Sequence, residues 1–439
     1  MTIAIEIETY EDQHEAFQRQ NASAPPWLSQ LRQKGLETFK RLGIPNRQVE
    51  DWRFTNVAKL ADRHYNCMPT VDSADHQIET LLQRATLDGE AYRLVFINGR
   101  FSEEWSAVSE LPSGVVVGNL AGTLRERPND VRGILCDNLD IEDSPFTALN
   151  TAFLDDGANI TVGDAVILDQ PVHLVFLSVG ECQSVSYPRI LIRVGKDSKT
   201  QVIESYMGVG DAYFTNAITQ IEVGANAELN HYKLQHEQLG AMHLATTHVT
   251  QQTQSQFRSH YFSFGASLAR NEVNCMLDGE RTETTLNGLY MPTGNQLMDC
   301  RTRIDHLKPN CKSYELYKGV LDDEAKGVFN GKIFVHQDAQ KTDAKQSNQA
   351  LLLSDEAVVN TQPQLEIYAD DVRCTHGATI GELDEKAIYY LRSRGIPLEL
   401  ARKMLIFAFA NDVVLAVKVP AVRRHLESIL LASHGLPDL

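Results

Sequence analysis

Most of the signals that mark a chain for a membrane, an extracellular space or a nucleic acid are missing from this sequence. No segment of its 439 residues is apolar for long enough to cross a bilayer, so a helical membrane protein is not expected. The 7 cysteines, at positions 67, 136, 182, 275, 300, 311 and 374, are odd in number and scattered; they do not read as a disulfide framework and are expected to be reduced thiols. The opening stretch MTIAIEIETYEDQHEAF is acidic, with neither a basic nor an apolar region, so no targeting signal is expected and the cytoplasm is the expected location. Positive charge is also short. The formal net charge of −17 repels phosphate backbones, and no basic cluster interleaved with aromatics offsets it, which argues against a nucleic-acid partner.

Catalytic motifs are equally scarce. A phosphate-cradling loop requires Gly-x-x-x-x-Gly-Lys-Ser/Thr; the nearest stretch, Gly327 to Ile333, is one residue short and has isoleucine after the lysine, so the chain is not expected to hydrolyse nucleotides. There is no Gly-x-Ser-x-Gly elbow, His-Glu-x-x-His helix or Cys-x-x-Cys pair. A carbohydrate-active enzyme would need paired carboxylates in a groove, and spacing identifies none.

What remains is an ordinary globular composition, 43% hydrophobic and 23% charged, in a chain too long for one compact domain. From Pro25 and Pro26 to Gly43 the apolar residues Trp27, Leu28, Leu31, Phe39 and Leu42 recur at helical spacing. With EDWRFTNV (50–57) and LLQRATL (81–87) they predict a helical N-terminal domain over residues 1–90. At RLVFINGRF (93–101) an apolar run meets Asn98-Gly99, a hairpin signal, and strands begin. Beyond Gly157 short alternating segments follow one another. Val-Gly with a small side chain close behind recurs at Val162-Gly163, Val194-Gly195 and Val223-Gly224, and glycines return at Asn287-Gly288, Lys318-Gly319 and Asn330-Gly331. Self-similarity without intervening helices points to a solenoid of stacked strands over 91–382, with an antiparallel sandwich as the rival. From residue 383 to 439 helical spacing returns: Asp384 caps one helix, Pro397 opens a second and Pro420 a third, with Val422, Leu426, Ile429 and Leu430 on one stripe.

Three groups of residues are candidates for chemistry. Arg392, Arg394, Arg402, Lys403, Arg423 and Arg424 concentrate positive charge in the tail, as a solvated helix face or as a docking surface for an acidic partner. Cys300, His306 and Cys311 can be drawn as zinc ligands, but their spacing matches no familiar closed site and buried structural roles are expected. In DDVRCTHGAT (370–379), Cys374 and His376 are two apart, so on a strand they project from one face, and Gly377 permits a departure toward the tail. A metal site, a proton-transferring pair and an inert thiol beside a hydrogen-bonded histidine all remain open for them.

The segments AQKTDAKQSNQALLLSDEA, PQLEIYADDVRCTHGATIGELDEKAIYYLRSRGI and EDWRFTNV closely resemble the SufB/SufD scaffold family of the SUF iron-sulfur cluster assembly machinery. Within it the chain is more similar to SufD-type than to SufB-type members. The latter typically carry glutamate where this chain has Gly377 and a cysteine where it has Leu391; Thr375 stands where many relatives have serine. The resemblance implies a mainly β fold, a right-handed parallel β-helix (β-solenoid) flanked by helical N- and C-terminal domains, and a non-catalytic scaffold. It implies pairing with a SufB-like subunit, a possible homodimer in isolation, and binding of a SufC-like ATPase through the C-terminal helices, at Leu391, Arg392, Arg394, Leu400, Met404, Leu405 and Phe407. It also implies that His376 and Cys374 lie at the subunit interface where an iron-sulfur cluster or iron is held transiently, no cofactor being bound stably. A purely structural partner that ligates no iron is the alternative.

Overall fold

The computed structural model describes all residues except Met1, 62–64, 66–74, 137–138, Asp140, 181–182, Asp211 and 434–439, so Cys67 and Cys182 lie outside the described residues. Its body is a parallel β-solenoid of about 8 turns with helices at both termini. Successive strands alternate between two 10-stranded sheets, so each coil adds one strand to either sheet. In one sheet residues 228, 256, 283, 312, 343 and 373 stand one above another in parallel register.

Alternate residues of each strand fill the lumen between the sheets. There Phe96, Phe176 and Tyr206 stack face to face at 4.8 Å steps, and Leu229, Phe257, Leu286 and Tyr317 continue the same core. The intervening residues point outward, and over the N-terminal and middle coils the helices cover them. Tyr10, Phe39, Trp52 and Phe146 pack on Val185, Phe214 and Leu244 of one sheet. The tail helices Leu398–Leu415 and Pro420–Ser433 fold back on the other sheet, where Val413, Val422, Leu426 and Leu430 meet Ile203, Tyr232, Leu234, Phe262 and Leu289. The tail therefore completes an outer core layer and is not a detachable appendage.

The corners explain the repeat in the sequence. Asp197, Asn226, Gln254, Arg281, Asn310 and Lys341 each adopt φ between 58° and 64°, and each N–H donates to a carbonyl of the next coil. Left-handed backbone of this kind turns the chain within a few residues. The Val-Gly glycines sit two residues before this position in the early coils. They stack so closely that a Cβ on Gly224 would meet the Val194 carbonyl oxygen at 2.8 Å and one on Gly195 would meet the Asp164 carboxylate at 2.5 Å. The later glycines belong to a different device. Gly288, Gly319 and Gly331 lie inside strands, where their missing side chains make room for Tyr317, Tyr290 and Gln346.

Helix and strand interleave more than the sequence pattern suggests. After the first hairpin the helices Leu120–Glu126, Asn129–Cys136 and Pro145–Ala152 intervene, so there is no single changeover near residue 90. Arg189 explains the third of them: wholly buried, it donates to Asn150, Thr151 and Gln220 and ties that helix to the sheet.

Candidate functional site

The last two strands, Val358–Ile367 and Arg373–Gly381, end the two sheets, each paired on one side only. Among the described residues the tail does not close over them. Three residues after the strand ends at Gly381, Asp384 caps the helix Glu385–Ser393, its Oδ1 accepting from the Lys386 N–H at 2.8 Å, and the chain then returns along the flank of the solenoid. Among the described residues the lumen is thus open at this end, and Val358, Ile367, Tyr368 and Ile380 stand exposed around its rim.

Cys374 and His376 both lie on the edge strand Arg373–Gly381, as alternation predicts, and the register settles which way they face. Leu286, Glu315, Gln346 and His376 form one column on four successive strands, and Thr284, Ser313, Ala344 and Cys374 form the neighbouring one. Leu286, Glu315 and Gln346 are buried in the lumen, so His376 projects into its open mouth, exposed because no further coil covers it. Cys374 is half-buried against Ile333, Val335 and Ala344; burial, aided by the Asp343 carboxylate, pushes its thiol up from the ordinary value. Its proton is therefore held more tightly than that of an exposed cysteine. Among the described residues no three His, Cys, Asp or Glu side chains converge on one point, so this pair is a partial donor set.

The other candidates are placed elsewhere. Cys300, His306 and Cys311 are buried inside the solenoid. His306 pairs with Ser313 at 2.9 Å and is lowered to about 4 by burial, while Cys311 donates to the Gly279 carbonyl. Of the tail residues, Arg392, Arg394 and Met404 are exposed, Leu391, Leu400 and Leu405 are half-buried, and Phe407 turns inward onto the core beneath the helix. Arg394 stacks on Tyr390, and Tyr389 beside it is 77% exposed.

Sequence reasoning missed the polar lumen. Glu204 is fully buried, accepting from Tyr206 and Thr219 at 2.8 Å and pairing with His231 at 3.0 Å. Burial alone would raise its carboxyl, but Lys233 and His231 outweigh that and hold it at about 2. Glu315 has no such cation; burial pushes it up to about 7, against the hydrogen bond from Gln346. The signal was present in ELNHYKLQH, where His231, Lys233 and Gln235 alternate with Tyr232 and Leu234. Alternation cannot say which face is the lumen when helices cover the other.

Comparison with known proteins identifies this architecture. Residues 176–409 match the family described as "SUF system FeS cluster assembly, SufBD core domain", and residues 6–174 match "SufBD protein N-terminal region". The chain is 33% identical over 417 residues to the iron-sulfur cluster assembly protein SufD of Escherichia coli, covering 94% of each. It is 32% identical over 414 residues to a SufBD family protein of Synechocystis, covering 91% of this chain and 89% of the relative. With SufD of Bacillus subtilis the identity is 26% over 445 residues, 98% of this chain and 99% of that one. Matched by both family regions and by these relatives over nearly its whole length, the chain belongs to the SufBD family of the SUF iron-sulfur cluster assembly system.

Proposed function

We propose that this protein is a non-catalytic, cytoplasmic scaffold subunit whose open solenoid end pairs with a SufB-like subunit, so that a nascent iron-sulfur cluster is held across the seam by His376, Cys374 and donors of the partner. The observation that carries the reading is that both residues sit on an edge strand, paired on one side only, at the mouth of the lumen. Any strand added to that edge lies within about 5 Å of theirs. Thiolate and imidazole suit iron, and an incomplete donor set facing a docking edge is what a shared site requires.

The tail helices supply a second surface. Tyr389, Tyr390, Arg392, Arg394 and Met404 stand exposed on them, and we assign these residues to the contact with a SufC-like ATPase. The nucleotide chemistry then belongs to that subunit.

The test is anaerobic reconstitution of the three-subunit complex carrying His376→Ala, with assembly followed by size-exclusion chromatography and clusters by iron and sulfide content. Assembly is expected to be normal and cluster content to collapse, with a smaller loss for Cys374→Ala. A full complement of iron and sulfide in the assembled His376→Ala complex would leave the chain as a purely structural partner.

A further inference from the structure

Behind His376 the lumen holds a device that the ligand reading does not use. Gln346 occupies the same column one strand below and is 3% exposed. Its Nε2 donates to Glu315 Oε2 at 2.5 Å, one strand further in. Its amide lies against Gly331 of the opposite sheet so closely that a Cβ there would meet Nε2 at 2.3 Å and Cδ at 2.8 Å. A carboxylate oxygen on one side and a bare backbone on the other thus hold the carboxamide. With the amide nitrogen committed to Glu315, the amide oxygen is buried and accepts from nothing. A buried acceptor without a donor is costly, and the next residue along the column is His376, on a strand about 5 Å away.

We propose that Gln346, oriented by Glu315 and given room by Gly331, is a positioning residue for His376: its amide oxygen accepts the N–H of one ring nitrogen, selects that tautomer, and leaves the other nitrogen facing the mouth of the lumen as a ligand. This rests on the reading of His376 as an iron ligand. Imidazoles that bind metals commonly donate their second N–H to an oxygen in this way, because the bond fixes the ring and makes the free nitrogen the metal-binding one.

The test reads the ring directly. In the full chain labelled with 15N-histidine, at a pH where the imidazole is neutral, the His376 nitrogens, assigned by their loss in His376→Gln, are expected to show a single tautomer. Gln346→Leu is expected to collapse them to the averaged shifts of a ring in water, and Gly331→Ala, which displaces the amide, to move them the same way. The resonances of His231 and His306 report that the lumen is intact, and Glu315→Gln, which keeps the volume, carries the test if Gln346→Leu does not fold. Averaged shifts in the native chain, unchanged by all three variants, overturn the proposal. Iron retention in the assembled complex separates it from the reading beneath it, Gln346→Leu being expected to lower it roughly 10- to 100-fold. If the tautomer is lost but His376→Ala still loads iron, positioning stands and the ligand reading falls. If His376→Ala abolishes loading while Gln346→Leu changes neither tautomer nor iron, the ligand reading stands and positioning falls.

Discussion

At its N-terminal end the solenoid is stoppered by Phe96, wholly buried and stacked on Phe176, whereas at its C-terminal end His376 looks out of an uncovered mouth. The edges differ in the same sense. The N-terminal sheets finish in antiparallel strands, Arg100–Ala107 and Val115–Asn119, and the first of these is bulged and carries exposed Glu103 and Glu104. Reversed direction, a bulge and charge all discourage another strand from adding. The C-terminal edge RCTHGATIG has one charged residue, no proline and no bulge in its register. The residues that could bind iron lie on the edge that the fold leaves fit for pairing. Among the described residues this end is left unclosed, and the proposed pairing rests on that contrast.

The sharpest way to break this comparison is to cut one side chain from each end. Phe96→Ala is expected to cost about 3–5 kcal/mol, because it empties a sealed stack. Ile380→Ala, at a side chain already 47% exposed, is expected to cost no more than about 0.5 kcal/mol. Urea unfolding of the free chain measures both, and equal losses would remove the distinction between the ends.

Glu315 tests how dry the lumen is just behind the mouth. Its carboxyl is raised from the ordinary 4.5 to about 7, so the folded chain holds the proton more tightly than the unfolded one. Below pH 4.5 both states are protonated and nothing is lost; between 4.5 and 7 stability falls, and above 7 the full cost, up to about 3 kcal/mol, is present. Glu315→Gln is therefore expected to be more stable than the native chain above pH 7, with the advantage vanishing toward pH 4.5. A stability difference independent of pH would mean that water reaches the carboxyl and that the mouth extends deeper than the last coil.

The edge itself is probed by Thr375→Lys, which places a charge on the outward face of the pairing strand. Partner affinity is expected to fall at least about tenfold, roughly 1.4 kcal/mol, with the unfolding midpoint unchanged. Unchanged affinity by titration calorimetry would put the seam elsewhere. Tyr389→Ala is expected to leave the chain within about 0.5 kcal/mol of its native stability, while binding of the ATPase subunit weakens. Truncating the tail cannot replace this substitution, since it would bare Tyr232, Leu234 and Phe262 and confuse lost docking with lost folding.

What the sequence determined by itself was everything that depends on neighbours along the chain. The strand texture beyond Gly157, the coil repeat, the caps at Asp384, Pro397 and Pro420, and the shared face of Cys374 and His376 all follow from local backbone preference and the two-residue period of a strand. Tertiary structure alone decided the rest, because stacking joins residues about thirty positions apart whose side chains follow no common pattern. Asp197, Gln254, Arg281 and Lys341 share one left-handed corner without sharing a residue type. Gly288, Gly319 and Gly331 continued the glycine repeat in the sequence, but they lie inside strands and admit lumen side chains. Glu204, Lys233, Glu315 and Gln346 carried no signal that placed them inside, and only closure of two sheets around them, with helices over the outer faces, made theirs the buried face. The open end likewise belongs to the packing of the tail on Tyr232 and Leu289 instead of over His376, since that flank offers a continuous row of apolar side chains left bare by the coils.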